Sequence, residues 1–288
     1  MSAPELRARR VQFRFPDDLD PVWNPRHPEA AAAANSVSLL MPYVEPYIVR
    51  SVRGARDRLD EPTRARAEEF ARQELAHHAQ HRRFNDLVVA RHPRLARIER
   101  WARAACDWLS RTRSEEFSLA FAAGAEAIAF GIARWAEENV RTLFDGADDV
   151  VSTLFLWHLA EEVEHKSVAF DVHRAVGGSR WRYLLASCTA LALLVLLTFP
   201  AIVVQLHDQR RLWSPVAWWR LTRWALGLGF EVLPAIGMSA LRDHHPDQLR
   251  DPVLLSAWLQ HFDPETATMP LWTSSGAAPA AGGLSPRP

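Results

Sequence analysis

The chain has 288 residues, of which 48% are apolar and 12 are glycine, a composition typical of a packed helical protein. Its 34 basic and 34 acidic side chains give a formal net charge of zero, so the overall charge gives no indication of a nucleic-acid partner. The two cysteines, Cys106 and Cys188, have no Cys-x-x-Cys spacing, and the first residues contain no apolar run. These features predict a cytoplasmic protein without a secretory signal.

Residues 1–28 are rich in proline and are predicted to be irregular. Four long helices follow, at about 28–56, 62–91, 114–143 and 148–176. Pro42 and Pro46 must bend or break the first helix, and Gly177 ends the fourth. Short links join the first helix to the second and the third helix to the fourth. Between the second and third helices, residues 92–114 form a long connection with a short helix near 101–108. This pattern predicts an all-α fold, a ferritin-like four-helix bundle with one long crossover over residues 29–178.

A long apolar stretch follows the predicted bundle. No residue from Leu184 to Leu206 carries a formal charge, and arginine and tryptophan residues flank the stretch on both sides. It is long enough to cross a bilayer, and the aromatic and charged segment 214–240 is typical of an interfacial helix. Residues 179–270 are therefore predicted to contact the inner membrane, with a disordered tail at 271–288. The alternative is that 184–206 forms a core helix of a soluble protein.

Two Glu-x-x-His motifs lie in different predicted helices, Glu74 with His77 in the second and Glu162 with His165 in the fourth. Side chains three positions apart on a helix project from the same face, so one carboxylate and one imidazole can bind one metal ion together. Two such motifs alone only suggest a metal site, because Glu and His are common enough to pair in this way by chance.

Two isolated acids complete the pattern. Glu45 in the first helix and Glu126 in the third each have mainly apolar neighbours, and a buried carboxylate without a partner costs several kcal/mol. Glu45 and Glu74 are equidistant from the first predicted turn, and Glu126 and Glu162 are equidistant from the turn near Gly146. If each pair of helices forms an antiparallel hairpin, two residues at equal distance from the turn lie side by side at the same height along the two helices. The sequence therefore predicts a centre with two metal ions inside the bundle.

Further candidates lie on the same helix faces. His158 falls on the stripe of Glu162 and His165 and is predicted to be an additional ligand. His81, one turn beyond His77, is either a ligand or a hydrogen-bond partner of one, and Asn85 follows a turn later. We expect Glu161 and Glu164, which lie off this stripe, to face solvent or to pair with arginine.

Three motifs together resemble the bacterial family of predicted metal-dependent hydrolases. They are residues 45–53, residues 70–77 with His81 and Asn85, and residues 157–172. The resemblance covers most of residues 10–262. The family usually has glycine before the first-helix glutamate, where this chain has Val44.

The order of candidate ligands is also similar to that of the di-iron arylamine N-oxygenases. This second resemblance implies that Glu45, Glu74 and His77 bind one iron. The other iron would be bound by four side chains, which are Glu126, His158, Glu162 and His165. It further implies that Glu74 and Glu162 bridge the two ions.

Three functions are compatible with these features. The favoured hypothesis is O2-dependent oxidation of a small hydrophobic substrate by two iron ions, with an electron donor as partner. The alternatives are a hydrolase in which two metals, zinc or manganese, lower the pKa of a shared water, and a membrane protein that binds metal without catalysis. The sequence contains no phosphate-binding glycine loop or other organic-cofactor motif, and it indicates no catalytic residue beyond the metal ligands.

Overall fold

The computed structural model describes residues 6–9, 11–241 and 244–272. Within them the chain is helical and has no β-strand, apart from one isolated bridge between Asp263 and Thr268, so the all-α prediction is confirmed. The α-helices are α1 (Pro28–Ser38), α2 (Met41–Gly54), α3 (Glu61–Arg91), α4 (Ala96–Thr112), α5 (Glu115–Glu138), α6 (Val140–Phe144), α7 (Asp149–His165), α8 (Val168–Ala175), α9 (Arg180–Asp208), α10 (Pro215–Ser239) and α11 (Val253–Leu259). The described part of the predicted irregular segment 1–28 lies outside these helices up to residue 27, and Pro28 begins α1. The predicted tail, apart from residues 271 and 272, falls outside the described residues.

Three of the helices that carry candidate ligands begin at side chains that cap their free backbone amides. Asp60 accepts from the amide of Thr63 at the start of α3, and Ser114 accepts from the amide of Phe117 at the start of α5. Asp148 accepts from two amides at the start of α7. The predicted starts of these helices are correct because the capping residues are visible in the sequence.

The first predicted helix is two helices, and the break lies at Leu39 and Leu40. Pro42 explains the position, because proline has no amide hydrogen for the carbonyl of Ser38 and its ring crowds that carbonyl. The Asn85 side chain takes over this role and donates to the Ser38 carbonyl at 2.8 Å. Pro46 lies inside α2 without ending it.

The fourth predicted helix is also divided, into α7 and α8, at Lys166 and Ser167. No proline or glycine marks this break. The Lys166 side chain is buried, donates to the carbonyl of Leu249 at 3.1 Å and pairs with Asp251. The break therefore coincides with a long-range contact to the C-terminal part of the chain, which local sequence does not reveal.

Two other predicted helices have different bounds. The connection between α3 and α5 contains the 17-residue helix α4, longer than the predicted 101–108, because its buried residues Ile98, Ala102, Cys106 and Leu109 follow a helical stripe. The third predicted helix ends at Glu138, and the short α6 follows it.

The helices that carry the candidate ligands pack together. The helix α2 lies along α3, α5 lies along α7 and α8, and α2 also contacts α5, while α3 contacts α7 and α8. The ferritin-like identity of this arrangement stays a prediction. The helices α9 and α10 pack against the other side of α5, and α9 continues without a break through Pro200.

A polar layer divides the interior into two apolar clusters. Along α3, Phe70 belongs to one cluster and Phe84 to the other, and Glu74, His77 and His81 lie between them. On α5, Ala123 and Phe130 flank Glu126 in the same way. The apolar packing on both sides therefore fixes the position of the buried acids and histidines.

Candidate metal centre

The structure brings all seven predicted metal ligands to one interior region. Each of these side chains is buried, with an exposed fraction of 8% or less. The residues are Glu45 on α2, Glu74 and His77 on α3, Glu126 on α5, and His158, Glu162 and His165 on α7. The convergence of four helices on these groups is the geometry that the two Glu-x-x-His motifs and the two isolated acids predict.

Four of the seven form one compact group, namely Glu74, His77, Glu162 and His165, with one donor atom from each within 4.8 Å of all the others. The Nδ1 of His77 lies 3.8 Å from Oε1 of Glu74 and 3.8 Å from Oε1 of Glu162. The Nε2 of His165 lies 3.5 Å from Oε1 of Glu74. Two carboxylates and two imidazoles at this spacing could hold one metal ion.

A second group contains Glu45, His77 and His158, again with donor atoms within 4.8 Å of one another. The two groups share His77. They are also joined through Glu162, whose Oε1 lies 2.8 Å from Nε2 of His158. The buried groups could therefore hold two metal ions next to each other, with Glu162 between them.

Several donor atoms of these groups lack other partners, which is a direct test of whether metal ions fit. Among the buried side-chain atoms of the described residues that have no hydrogen-bond partner, six belong to these two groups: both carboxylate oxygens of Glu45, Oε1 of Glu74, Nδ1 of His77, Oε2 of Glu162 and Nε2 of His165. Each unpaired buried polar atom is costly, and such atoms are rare in folded proteins. Their convergence on one region, in the types that bind transition metals, fits bound cations.

Three of the four carboxyl groups that the centre takes from the predicted ligands disfavour their own charged forms. Burial, together with the charges of Glu162 and Glu126, raises the pKa of Glu45 well above its usual value. The same causes raise the pKa of Glu74, and burial and Glu162 raise that of Glu126 to about 7. Without a cation, protons must neutralise the site, so a metal ion that binds here has to displace them.

The two Glu-x-x-His histidines respond to this environment in opposite ways. Burial, with the neighbouring histidines, lowers the pKa of His77 well below its usual value, so its ring is neutral and can bind a metal. Burial also disfavours charge on His165, but the carboxylates of Glu162 and Glu126 outweigh it and raise its pKa to about 9. For Glu162, burial is likewise outweighed, here by His165 and His158, and its pKa is lowered.

A buried acid orients the ring of His77. Its Nε2 lies 2.9 Å from Oε2 of Glu161, so the ring donates there and keeps the lone pair of Nδ1 directed at Glu74 and Glu162. Arg9, from the N-terminal segment, donates to Glu161 at 3.1 Å. Burial raises the pKa of Glu161 to about 8, whereas the Arg9 guanidinium favours its charged form. A cation bound to His77 would favour that form further.

Glu126 contacts His165, the histidine of the second Glu-x-x-His motif, in the way that Glu161 contacts His77. Its Oε2 lies 2.9 Å from Nδ1 of His165, which leaves Nε2 of that ring directed at Glu74. Glu126 lies outside both compact groups, although it contacts Glu162 and His165. The structure thus places Glu126 beside the centre, and its predicted ligand role stays a prediction.

A chain of hydrogen bonds supports His158. The amide of Asn85 donates to the Ser38 carbonyl, so its oxygen is left to accept from the Ser38 hydroxyl at 2.6 Å. The hydroxyl oxygen then accepts from Nδ1 of His81 at 2.7 Å, and Nε2 of His81 accepts from Nδ1 of His158 at 2.7 Å. With Nδ1 used in this way, Nε2 of His158 faces Oε1 of Glu162 at 2.8 Å.

This chain of hydrogen bonds bears on the two roles left open for His81. Both nitrogens of its ring are used, one by Ser38 and one by His158, and burial lowers its pKa well below the usual value. A neutral ring with both nitrogens occupied favours the role of hydrogen-bond partner over that of ligand. Asn85 supports the same chain from its far end.

Three residues at or around the centre were not predicted from the sequence to belong to it. Glu161 is fully buried, so the expectation that it faces solvent is wrong, while the alternative of an arginine partner is correct. Arg9 and Ser38 carry no motif. The one available signal was Pro42, which predicts that the carbonyl of Ser38 lacks its helical donor.

The comparisons with known proteins give one finding on identity. No curated protein and no solved structure matches the chain. A family model described as predicted metal-dependent hydrolase matches residues 7–250, which include every residue of the centre described above. The chain belongs to this family of predicted metal-dependent hydrolases.

Proposed function

We propose that this protein is a hydrolase with two metal ions bound at the buried centre. The observation that carries the proposal is the set of six unpartnered donor atoms on Glu45, Glu74, His77, Glu162 and His165. The family description favours hydrolysis over oxidation and reverses the order of the two hypotheses drawn from the sequence.

The ligands divide between the two ions according to their free donor atoms. His77 offers a single lone pair, because Nε2 is used by Glu161, and it can bind only one ion at a time. Glu74 and His165 complete that site. Glu45 and His158 bind the second ion, and Glu162 lies between the two. Bound metal ions polarise a carbonyl or phosphoryl oxygen and lower the pKa of a coordinated water.

Glu126 is the residue best suited to hold a proton during hydrolysis. It lies outside both ligand groups but touches Glu162 and His165, so its carboxyl group is next to the metal ligands without being one of them. Its hydrogen bond to His165 keeps the carboxyl group in place. We propose this acid–base role for Glu126 instead of the ligand role predicted from the sequence.

Metal analysis and activity on one preparation test the proposal. The full chain is purified without added metal, its metal content is measured, and it is assayed on model esters, amides and phosphate esters. We expect two zinc or manganese ions per chain and a hydrolytic activity that a chelator removes and the same metal restores. A chain without bound metal, or an activity that survives complete metal removal, would overturn the proposal.

A second candidate is O2-dependent oxidation of a hydrophobic substrate by two iron ions, which also needs an electron donor. The donor set favours it, because carboxylates and imidazoles in a buried site suit iron. The same preparation distinguishes the two reactions. Iron in the chain, optical changes when the reduced protein meets air, and no hydrolysis would support oxidation.

A further inference from the structure

The outer sides of α9 and α10 form an apolar surface, which we call the α9–α10 face. Large apolar side chains there are mostly exposed, including Leu196 at 66% and Phe230 at 78%. Trp181, Phe199, Trp213 and Trp219 are also exposed on these helices and at their ends. Soluble monomers rarely expose so many large apolar side chains on adjacent elements, so this surface is expected to contact a partner.

The two sides of α9 differ in composition. Most of the buried residues on the inner side are small or polar: Ser187 lies against Gly124 of α5, and Gln205 donates to the carbonyl of Ala32 and bonds with Asn35 of α1. The outer side carries leucine, valine and phenylalanine. This is the composition of a helix that uses one side to pack against its own fold and the other to meet an apolar environment.

Charge and aromatic residues at the ends of the face indicate an anionic bilayer as the partner. Trp181 and Trp213, 81% and 90% exposed, lie at the two ends of α9, where amphipathic rings suit the headgroup level of a bilayer. Arg180 and Arg210 lie beside them and are exposed. A groove at the start of α9 is lined by Trp181 together with Arg113 and Arg182, which suits a phosphate headgroup.

The acidic residues of α9 and α10 do not repel an anionic bilayer. Asp208 pairs with His92 and Arg94, and Glu231 pairs with Arg134, so both acids are used by contacts to the bundle. Among the described residues, these are the acids that α9 and α10 contain. The exposed charge of the face is therefore positive.

The packing of α9 against the rest of the fold determines how the helix axis is oriented relative to the bilayer. The helix is roughly 43 Å long at ~1.5 Å per residue and lies along α5 and α1 for much of that length. If α9 crossed the bilayer, α1 and α5 would have to enter it as well. Both of these helices also contact α3 or α2, which carry many arginines and acids. Lying parallel to the membrane plane keeps those charges in water.

We propose that the α9–α10 face binds the surface of an anionic bilayer, with α9 in the plane of the membrane and its outer side at the acyl boundary. The membrane-spanning alternative for residues 184–206 is replaced by an interfacial position. This proposal does not depend on which reaction the metal centre catalyses.

Vesicle flotation of the full chain tests the proposal. The purified protein is mixed with vesicles of phosphatidylcholine alone or with phosphatidylglycerol, and the fraction that floats with lipid is measured. We expect binding to the mixed vesicles. Leu196→Glu and Phe230→Glu should each lower it about tenfold, because each places a charge at the acyl boundary. Arg210→Gln should lower it about fivefold, the effect of one arginine near an anionic surface.

A matched control uses Leu75, an exposed leucine on α3, which packs against neither α9 nor α10. Leu75→Glu introduces the same charge and should leave flotation unchanged. A fluorescent label on the exposed Cys188 of α9 should shift to the blue when vesicles are added, while Cys106 is buried and does not compete for the label.

Three outcomes would overturn the proposal. The first is a wild-type protein that stays with the aqueous phase in the presence of the mixed vesicles. The second is an equal loss of flotation in the Leu75 control. The third is a dimer by light scattering that dissociates in Leu196→Glu and does not float, since a second copy of the chain would then cover the face.

Discussion

His77 donates from Nε2 to the carboxylate of Glu161 at 2.9 Å, and this contact directs Nδ1 of the ring at Glu74 and Glu162, each 3.8 Å away. The carboxylate–histidine pair is a common support for metal ligands, since it fixes the ring and makes the free nitrogen more basic. Here the carboxylate has a partner of its own, because Arg9 from the N-terminal segment donates to it. The orientation of a predicted ligand therefore depends on a residue 68 positions earlier in the sequence.

Glu161→Gln should lower the metal affinity of the protein by about 10- to 100-fold. The amide fills the same space but gives up the charge that makes Nδ1 of His77 a better donor. Glu164→Gln is the control, because Glu164 contacts Arg9 but not His77. Competition with a chromophoric chelator measures both variants. Equal affinities for the two would contradict the role given to Glu161.

Ser38→Ala should lower the affinity of the protein for the second metal ion about tenfold. This is the range expected when a residue that hydrogen-bonds to a metal ligand is removed. Without the hydroxyl, Nδ1 of His81 loses its acceptor and the chain to His158 is no longer fixed. Ser36→Ala is the control on the same helix, since Ser36 bonds Ala32 and Gln205 and not the centre. Titration of the metal-free protein would reveal two affinities, and a loss in the Ser36 variant alone would be inconsistent with this chain.

Much of the centre could be predicted from the sequence because its ligands follow helical spacing. Glu74 with His77 and Glu162 with His165 lie on common faces, and Glu45 and Glu126 stand out because acids are costly among apolar residues. Helix starts were predictable where a capping side chain is present. The stripe from Ile98 to Leu109 also contained the signal for α4, although the sequence prediction gave only a short helix there.

Other features could not be predicted because they depend on contacts between distant parts of the chain. Glu161 has acidic neighbours and looks like a solvent-facing residue, and it is buried only because Arg9 and His77 contact it. The break between α7 and α8 coincides with the contacts of Lys166 to Leu249 and Asp251. Neither contact leaves a periodic pattern in the sequence.

Glu126→Gln should keep both metal ions and lose activity by about 10²- to 10⁴-fold, the range expected when a general acid–base group is removed. The amide can still accept from His165 but cannot take up or release a proton. Metal analysis and kinetics on the same preparation check this. Loss of one metal ion would instead support the ligand role predicted for Glu126 from the sequence.

His158→Ala should reduce the metal content from two ions per chain to one. The group of Glu45, His77 and His158 would lose its only imidazole that is not already used by the first site. His78→Ala is the control, since His78 is a half-buried histidine on α3 outside both groups. Metal content is measured after equilibrium dialysis. A variant that keeps two ions, or that loses both, would contradict the division of ligands proposed here.

The metal-free protein should become less stable as the pH rises from about 6.5 to about 9. Burial raises the folded-state pKa of Glu126 to about 7 and of Glu161 to about 8 from a usual value of 4.5, and nearby carboxylates raise that of His165 to about 9 from 6.5. A group with a raised folded pKa contributes stability below its usual pKa and loses it as the pH passes the raised value. Glu162, His77 and His81 have lowered pKa values and act oppositely, but only below their usual values of 4.5 for Glu162 and 6.5 for the histidines. Bound metal displaces these protons, so added metal should raise the melting temperature more at pH 9 than at pH 5. Thermal unfolding across this range, with chelator and with metal, measures both trends, and a metal-free protein that gains stability toward pH 9 would show that the buried carboxyl groups do not hold protons.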